Sequence, residues 1–261
     1  MDFRVEHPDL RGVAAVVTGA GRGLGRDFAM ELARCGASVA VTGRDPAHLT
    51  ETARTITEAG GNCLARAADV TDRAAVEDAA AHITSELGPP SLLVNNAGQL
   101  IVSSFLTADP EEWWRVVEVN LRGTFNWAQV LLPGMVAAAG GGRVINVSSI
   151  AAKAGPPMAS SYSASKAAVS RLTETLAAEL PRKIPVLALA PYGLTDMTRY
   201  LLNDSDFDSK PLAALLDGRG EGALPETLAM FRFLVSGAAD HLSGRHIDTF
   251  EAIDELREDV A

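Results

Sequence analysis

The sequence has few cysteines and no grouping of metal-binding residues. Only two of the 261 residues are cysteines, and neither Cys35 nor Cys63 has the spacing of a disulfide framework or a metal site. The five histidines form no HExxH or Cys/His cluster, so we predict no metal site. We expect His241 and His246 to be surface or loop residues.

The sequence also lacks a long apolar run and an excess of positive charge. No apolar stretch approaches the ~18 residues that a membrane-spanning helix needs, and the start Met-Asp-Phe-Arg-Val-Glu has no apolar signal core. The low cysteine count and the lack of long apolar runs together predict a cytoplasmic protein with no membrane partner. The net charge of −10 removes the basic surface that a nucleic acid requires, so no nucleic-acid partner is expected either.

Short β-rich apolar runs alternate with longer amphipathic segments along most of the chain. With 47% hydrophobic residues the chain can bury a sizeable core, and we predict one domain over residues 1–261. Serial alternation of strand and helix indicates an α/β fold, a doubly wound parallel sheet of Rossmann type with helices on both faces. The predicted strands cover 13–18, 38–42, 63–67, 91–95, 143–147 and 185–190, and the predicted helices cover 24–35, 47–59, 74–87, 111–139 and 162–180.

Two segments depart from this alternation. Residues 198–224 interrupt the rhythm just after the last predicted strand, where a lid over a substrate could lie. Residues 250–261 form a charged tail, which we expect to be a solvated helix or a frayed end.

A glycine-rich turn follows the first predicted strand and opens the first helix. Glycines allow a tight turn and let backbone N–H groups at the helix N-terminus approach a pyrophosphate. Because the turn lies between a strand and a helix at the start of the alternating pattern, it predicts a dinucleotide site. Its candidate cofactor-binding residues are Gly19, Arg22, Gly23, Leu24 and Gly25.

The residue after the second strand favours NADP(H) over NAD(H). An acidic residue there would accept a hydrogen bond from the ribose 2′-hydroxyl of NAD(H). This strand is instead followed by Arg44, which together with Arg22 could hold the 2′-phosphate of NADP(H). Asp45 fits a helix N-cap better than a ribose ligand. Asp69 and Val70, after the third strand, could meet the adenine, and the alternative for Asp69 is a local turn or capping role.

Tyr162 and Lys166 lie four residues apart in a predicted helix and should share one face. A phenol has a pKa of about 10, and lowering it by ~3 units takes about 4 kcal/mol of preferential stabilisation of the phenolate. An ammonium group about 4 Å away supplies an interaction of that size. We therefore predict that Lys166 lowers the pKa of Tyr162, against the simpler alternative of a half-buried tyrosine and a solvated lysine.

With these motifs and three more, the chain resembles the classical short-chain dehydrogenase/reductase (SDR) family from about residue 12 to 197. The further motifs are Asn95-Asn-Ala-Gly98, Val119-Asn-Leu-Arg-Gly123 and Asn146-Val-Ser-Ser149. The resemblance implies that the tyrosine exchanges the proton, the lysine lowers its pKa and holds the nicotinamide ribose, a serine hydrogen-bonds the carbonyl oxygen, and an asparagine supports a proton-relay water. Carried over, the catalytic residues are Tyr162, Lys166, Ser149 and Asn120.

Three of these assignments have alternatives. Ser148 competes with Ser149, because adjacent strand residues point to opposite faces, although the spacing to Tyr162 favours Ser149. Asn120 could be a buried amide satisfied by a backbone carbonyl. Asn95, which the resemblance places against the cofactor, could be a structural turn residue.

The resemblance also assigns further cofactor contacts and exposes two departures. Cofactor contacts are implied for Ala97, Gly98, Leu194 and again Tyr162 and Lys166. Tyr192 replaces the first glycine usually found after the last predicted strand, and its ring could shape the pocket or pack beneath it. The C-terminal segment lacks the usual double glycine. Family tetramers often pack through that region, and the resemblance implies a homo-oligomer, tetramer or dimer.

The sequence therefore predicts an NADP(H)-dependent oxidoreductase that interconverts a small-molecule carbonyl and a secondary alcohol. One alternative is an NAD-dependent alcohol dehydrogenase on the same scaffold. Another is a dinucleotide-sensing protein without chemistry, which would not need the set of asparagine, serine, tyrosine and lysine.

Overall fold

We describe residues 6–192 and 223–258 of a computed structural model of the chain. Within these residues, seven parallel strands form one sheet in the order β3-β2-β1-β4-β5-β6-β7. The strands are β1 (Ala14–Thr18), β2 (Ser38–Gly43), β3 (Asn62–Ala67), β4 (Leu92–Asn95), β5 (Arg143–Val147), β6 (Val186–Ala190) and β7 (His246–Asp248). The order reverses between β1 and β4, and ligands of such sheets bind outside the carboxyl ends of the strands at that point.

Helices cover both faces of the sheet. They are α1 (Gly23–Arg34), α2 (Pro46–Glu58), α3 (Arg73–Leu87), α4 (Pro110–Val117), α5 (Gly123–Ala137), α6 (Ser160–Glu179), α7 (Ala223–Val235) and α8 (Ile253–Glu258). The α/β fold class predicted from the sequence is confirmed. β7, which adds an edge to the sheet, was not predicted.

Aspartates fix the starts of two helices as the sequence indicates. Asp45 accepts from the amides of Ala47 at 2.9 Å and His48 at 3.4 Å, and Asp109 caps α4 in the same way. Each is followed by a proline at the first helical position, where the missing N–H costs nothing. The capping role predicted for Asp45 is confirmed.

Alternate residues of the central strands enter two separate cores. Val17 and Val94 face a core built with α1 and α7, whereas Val16 and Leu93 face a core built with α3 and α5. The sheet is thus buried on both faces, as is usual for parallel sheets.

The first core ties α1 to α7 by stacking and by charge. The rings of Phe28 and Phe231 stack with centroids 4.3 Å apart. Beside them Glu31, 3% exposed, accepts from Arg232 at 2.8 Å and from Arg34 at 3.1 Å. Because α1 begins at the glycine-rich turn, this packing holds the turn in place.

The single helix predicted over residues 111–139 is two helices joined by a π-helical turn, Glu118–Arg122. The turn inserts an extra residue between α4 and α5, which changes the direction of the side chains on it. Asn120 lies in this turn and is 1% exposed. The helical segment predicted over 111–139 is thus helical throughout 110–137, but the π-helical turn at a candidate catalytic residue was not predicted.

The C-terminal tail is less solvated than its charge suggests. α8 is a helix, but Ile253 and Leu256 are 6% and 3% exposed and pack in the first core. Its charged residues face solvent, so the expected solvated helix is found at 253–258, but the burial of its two apolar residues was not predicted. The predicted lid falls almost wholly on residues 193–222, outside the described part of the chain.

Candidate active site

The glycine-rich turn runs closely against the loop that follows β4. A Cβ atom placed on Gly19 would lie 2.8 Å from the Cα atom of Ala97. Gly19 also has a φ of +65°, a left-handed conformation that favours glycine. The two predicted cofactor residues are therefore neighbours in space, although 78 residues separate them.

Gly25 and Asn96 hold the glycine-rich turn against the loop that follows β4. A Cβ atom on Gly25 would lie 2.4 Å from the Nδ2 atom of Asn96 and 2.4 Å from the carbonyl oxygen of Gly19. That Nδ2 donates to the carbonyls of Thr18 at 2.9 Å and Gly19 at 3.3 Å. The sequence analysis missed Asn96, although it lies inside the motif that begins at Asn95.

The N-terminus of α1 is suited to an anion. Its N-cap residue is Arg22, whose side chain has no acceptor for the amides of the first turn, whereas α2, α3 and α4 are each capped by an aspartate. Gly23 has a φ of +56°, and a Cβ atom there would have no atom within 4 Å. The open space, the amides and the helix dipole fit a dinucleotide pyrophosphate. Leu24, the next residue, packs against the first core.

Arg44 follows β2 and is exposed beside this turn. Among the described residues no hydrogen bond or ion pair involves its guanidinium. Asp45, the next residue in the chain, already interacts with the α2 amides and with His48 at 3.1 Å. Arg22 is exposed too. The charge near the end of β2 therefore suits a phosphate.

Asp69 has a local role. One carboxylate oxygen accepts from the amide and hydroxyl of Thr71, at 2.9 Å and 2.7 Å, and the other accepts from Arg115 at 3.1 Å. Burial works to raise the pKa of Asp69, but these partners outweigh it, and the pKa lies below its usual value. Val70 is 5% exposed, packs in the second core, and its carbonyl accepts from Asn126 at 2.8 Å. The turn alternative for Asp69 therefore matches the structure, and the side chain of Val70 is turned away from solvent.

Ser149 and Tyr162 are brought together across the ends of β5 and α6. Burial raises the pKa of the Tyr162 phenol, and a hydrogen bond with Ser149 works in the opposite direction. The prediction that Lys166 lowers the pKa of Tyr162 was wrong in direction, because desolvation of the phenol is the larger effect. At neutral pH the phenol is therefore protonated and able to donate.

Lys166 lies one helical turn beyond Tyr162 and is 4% exposed. Its Nζ atom donates to the carbonyl of Val147 at 2.7 Å and lies 5.7 Å from the centre of the Tyr162 ring. Burial lowers the pKa of the lysine to about 8. The solvated-lysine alternative is thus wrong, and the amine remains mostly charged at pH 7 within reach of the phenol.

Ser148 and Ser149 point in different directions, as expected of adjacent strand residues. The hydroxyl of Ser148, 2% exposed, lies 2.8 Å from Ser170 and 3.3 Å from the carbonyl of Lys166. Ser149 faces Tyr162 instead. The structure therefore favours Ser149 over Ser148 as the residue beside the phenol.

Asn120 is held on all sides. Its Oδ1 accepts from the amide of Gln99 at 2.7 Å, and its Nδ2 donates to the carbonyl of Gln99 at 3.0 Å and to Ser165 at 2.8 Å. The alternative of an amide satisfied by backbone thus matches the contacts. A Cβ atom on Gly98 would lie 3.4 Å from Oδ1 and 3.5 Å from Nζ of Lys166, so Gly98 lies between both side chains.

Asn95 lies at the end of β4 and forms side-chain hydrogen bonds within the sheet. Its Nδ2 donates to Oδ1 of Asn146 at 2.9 Å, and Asn146 donates in turn to Thr173 on α6 at 2.9 Å. Oδ1 of Asn95 is buried without a partner among the described residues. Asn95 therefore joins β4 and β5 to α6 from the end of a strand rather than from a turn, and its contact with the cofactor stays a prediction.

Two further predictions concern Tyr192 and Leu194, which follow β6 in the sequence. The ring of Tyr192 is 7% exposed and packs on Phe250 at 4.5 Å, which supports packing over a position in the pocket. Leu194 lies outside the described residues.

The two C-terminal histidines and the two cysteines form no metal-binding group among the described residues. His241 is exposed, as predicted, but His246 is a half-buried residue of β7, so its placement on a surface or loop was wrong. Burial raises the pKa of the Cys35 and Cys63 thiols to about 11 and about 12. Within the described ranges, no group of three metal-binding side chains is found, and no helix is long and apolar enough to cross a membrane.

Comparison with known proteins agrees with the family resemblance of the sequence motifs. A family model described as short chain dehydrogenase matches residues 13–206. Gluconate 5-dehydrogenase of Gluconobacter oxydans is 33% identical over 247 residues, 92% of this chain and 95% of the relative. Galactitol 2-dehydrogenase (L-tagatose-forming) of Cereibacter sphaeroides is 37% identical over 249 residues, 94% and 95% of the two chains.

A solved structure agrees over almost the whole chain. The crystal structure of a gluconate 5-dehydrogenase from Burkholderia cenocepacia, in complex with NADP and tartrate, superimposes with a TM-score of 0.83 at 31% identity and covers 94% of each chain.

Proposed function

The chain belongs to the short-chain dehydrogenase family and is an NAD(P)-dependent oxidoreductase acting on carbonyls and alcohols, and we propose that it uses NADP(H) with Tyr162 as its acid–base residue. The observation that carries the proposal is that Ser149 hydrogen-bonds the Tyr162 phenol while Nζ of Lys166 lies 5.7 Å from the centre of the same ring. When bound, the nicotinamide supplies the hydride in reduction and accepts it in oxidation.

Tyr162 donates the proton as negative charge develops on the carbonyl oxygen. Its raised pKa keeps the phenol protonated at neutral pH, which is the form that can donate. Ser149 gives the oxygen a second hydrogen bond, and the charged Lys166 stabilises the phenolate that proton donation leaves behind. Asn120 and Asn95 hold the surrounding loops, and a water-relay role for Asn120 stays a prediction.

The proposed enzyme is tested by a panel of carbonyl substrates with both reduced cofactors. The panel contains keto sugar acids and ketoses, because similar proteins are named for gluconate and for forming L-tagatose. It also contains apolar ketones, because Ile101 and its sequence neighbours are apolar. We expect oxidation of NADPH with at least one carbonyl. Tight cofactor binding without turnover on any of them would favour the dinucleotide-sensing alternative.

The choice of cofactor is tested by Arg44→Ala. A charge-assisted hydrogen bond to a phosphate contributes about 1.5–3 kcal/mol, so the variant should bind NADPH about 10- to 100-fold more weakly. Its affinity for NADH should be unchanged, because NADH has no 2′-phosphate. Both affinities can be read from nucleotide fluorescence titrations.

Arg54→Ala is the matched control for Arg44→Ala. Arg54 lies on α2 and is paired with Glu51 and Glu58, so its loss should leave the ratio of the two affinities unchanged. Equal weakening of NADPH and NADH by Arg44→Ala would support the NAD-dependent alternative.

Other predictions from the sequence remain part of the proposal. We propose one domain over residues 1–261, with a substrate lid at 198–224. We also propose a homo-oligomer, tetramer or dimer, in the cytoplasm. These rest on the family resemblance and on the composition of the sequence.

A further inference from the structure

A row of polar side chains joins the edge strand β7 to the helix that carries Tyr162 and Lys166. Nδ1 of His246 lies 2.8 Å from Oγ of Ser170, which lies 2.8 Å from Oγ of Ser148. Both hydroxyls are within reach of the Lys166 carbonyl, Ser170 at 3.1 Å and Ser148 at 3.3 Å. We call these three side chains the His246 chain. The acid–base set described above does not use them.

The surroundings of His246 decide which ring nitrogen carries the proton. Its Nε2 is buried, and no polar atom within residues 6–192 and 223–258 is placed to bond it. A proton on Nε2 would be a buried donor without an acceptor, whereas a proton on Nδ1 can be donated to Ser170. The geometry therefore favours the Nδ1–H tautomer.

This tautomer makes the hydrogen bonds consistent in direction. Nδ1–H of His246 donates to Ser170, and the Ser170 hydroxyl is then oriented to donate to the Lys166 carbonyl. The Ser148 hydroxyl donates to Ser170 or to the same carbonyl. With a proton on Nε2, Ser170 would donate to His246 and could not also donate to Lys166.

The ring must be neutral for this argument to hold. Burial, and next the positive charge of Lys153, lower the pKa of His246 to about 4. The Lys153 ammonium group also lies 3.5 Å from the carbonyl of His246. The imidazole is therefore uncharged over the pH range in which activity would be measured.

The His246 chain attaches α6 to the end of β5 where the reacting groups lie. Ser148 directly precedes Ser149, and Lys166 donates from its Nζ to Val147 while its carbonyl receives the His246 chain. The two attachments fix the strand end and the helix relative to each other. They thereby set the distance between the Ser149 hydroxyl and the Tyr162 phenol.

We propose that His246 is a positioning residue, which holds Ser149, Tyr162 and Lys166 in register through Ser170 and Ser148. The inference deepens the proposed function and rests on it.

Two amide replacements test the position of the donor. In His246→Asn the side-chain amide can take the place of Nδ1–H, whereas in His246→Gln it reaches towards Nε2. His246→Leu removes both nitrogens. We expect kcat to fall about tenfold in His246→Leu and His246→Gln, since small displacements of reacting groups are costly. In His246→Asn kcat should stay within about twofold of the wild type.

Further measurements separate positioning from general damage. KM for the cofactor should change little, because the His246 chain does not contact the glycine-rich turn. Ser170→Ala should lower kcat as His246→Leu does, and the double variant should lose no more than either single variant. Ser170→Ala keeps this test available if His246→Leu does not fold. Equal kcat in His246→Asn and His246→Leu, or additive losses in the double variant, would overturn the inference.

The tautomer gives a readout that needs no turnover. In wild-type protein with ¹⁵N-labelled histidine, NMR should show Nδ1 protonated and Nε2 unprotonated, and a proton on Nε2 would contradict the inference. If the wild type reduced none of the carbonyls, the proposed function would fail, and with it catalytic positioning by His246. The tautomer result would still show whether the hydrogen-bonded arrangement itself is correct.

Discussion

Tyr162→Phe should lower kcat for carbonyl reduction about 10²- to 10⁴-fold while leaving NADPH affinity within about threefold of the wild type. The phenol is the proton donor of the proposed reaction, and removing its oxygen leaves Ser149 as a hydrogen-bond donor without a group of suitable acidity. The ring itself remains, so the packing of α6 against the site is preserved. Steady-state rates and a nucleotide fluorescence titration on the same preparation measure both quantities.

Tyr192→Phe is the matched control. It also removes one phenolic oxygen, but from a ring that packs on Phe250. Its kcat should stay close to that of the wild type. A Tyr162→Phe enzyme with normal turnover would rule out the acid–base assignment.

Gly25→Ala should weaken NADPH binding about 10- to 100-fold and lower the melting temperature. The added methyl group would lie 2.4 Å from both the Asn96 amide nitrogen and the Gly19 carbonyl oxygen. One of these contacts is backbone, so the turn must move and the Asn96 bonds to Thr18 and Gly19 must lengthen. The resulting displacement moves the amides that would receive the pyrophosphate.

Gly134→Ala serves as the control for adding a methyl group within a helix. Gly134 lies in α5, and a Cβ atom there meets nothing within 4 Å, so this variant should be neutral or more stable by about 0.5–1 kcal/mol. Normal NADPH binding by Gly25→Ala would contradict the proposed place of the pyrophosphate.

Most strands and helices could be predicted because their patterns are local. The predicted helix at 47–59 is Pro46–Glu58, and the predicted strand at 63–67 is Asn62–Ala67. Both are marked by turn or cap residues and by an apolar face. β7 could not be predicted, because three residues with a histidine and an aspartate at the ends carry no periodic signal. It is a strand because its backbone bonds to β6.

The site residues could be named from motifs, but their partners could not. Nothing in the sequence shows that Asn120 bonds Gln99 or that Arg115 reaches Asp69, because these contacts depend on the π-helical turn and on loop paths. The direction of the Tyr162 pKa was misjudged for a related reason. Spacing reveals the nearby amine but not the depth of burial, and desolvation is the larger influence on the phenol.

The contact between α1 and α7 has a consequence for the order of folding during synthesis. Arg232 reaches Glu31 across 201 positions of the chain. At about 5–20 residues per second, a ribosome adds that stretch in about 10–40 s. Until then α1 lacks the ring of Phe231 and the ion pair with Arg232, so the support behind the glycine-rich turn is complete only when the last helices emerge.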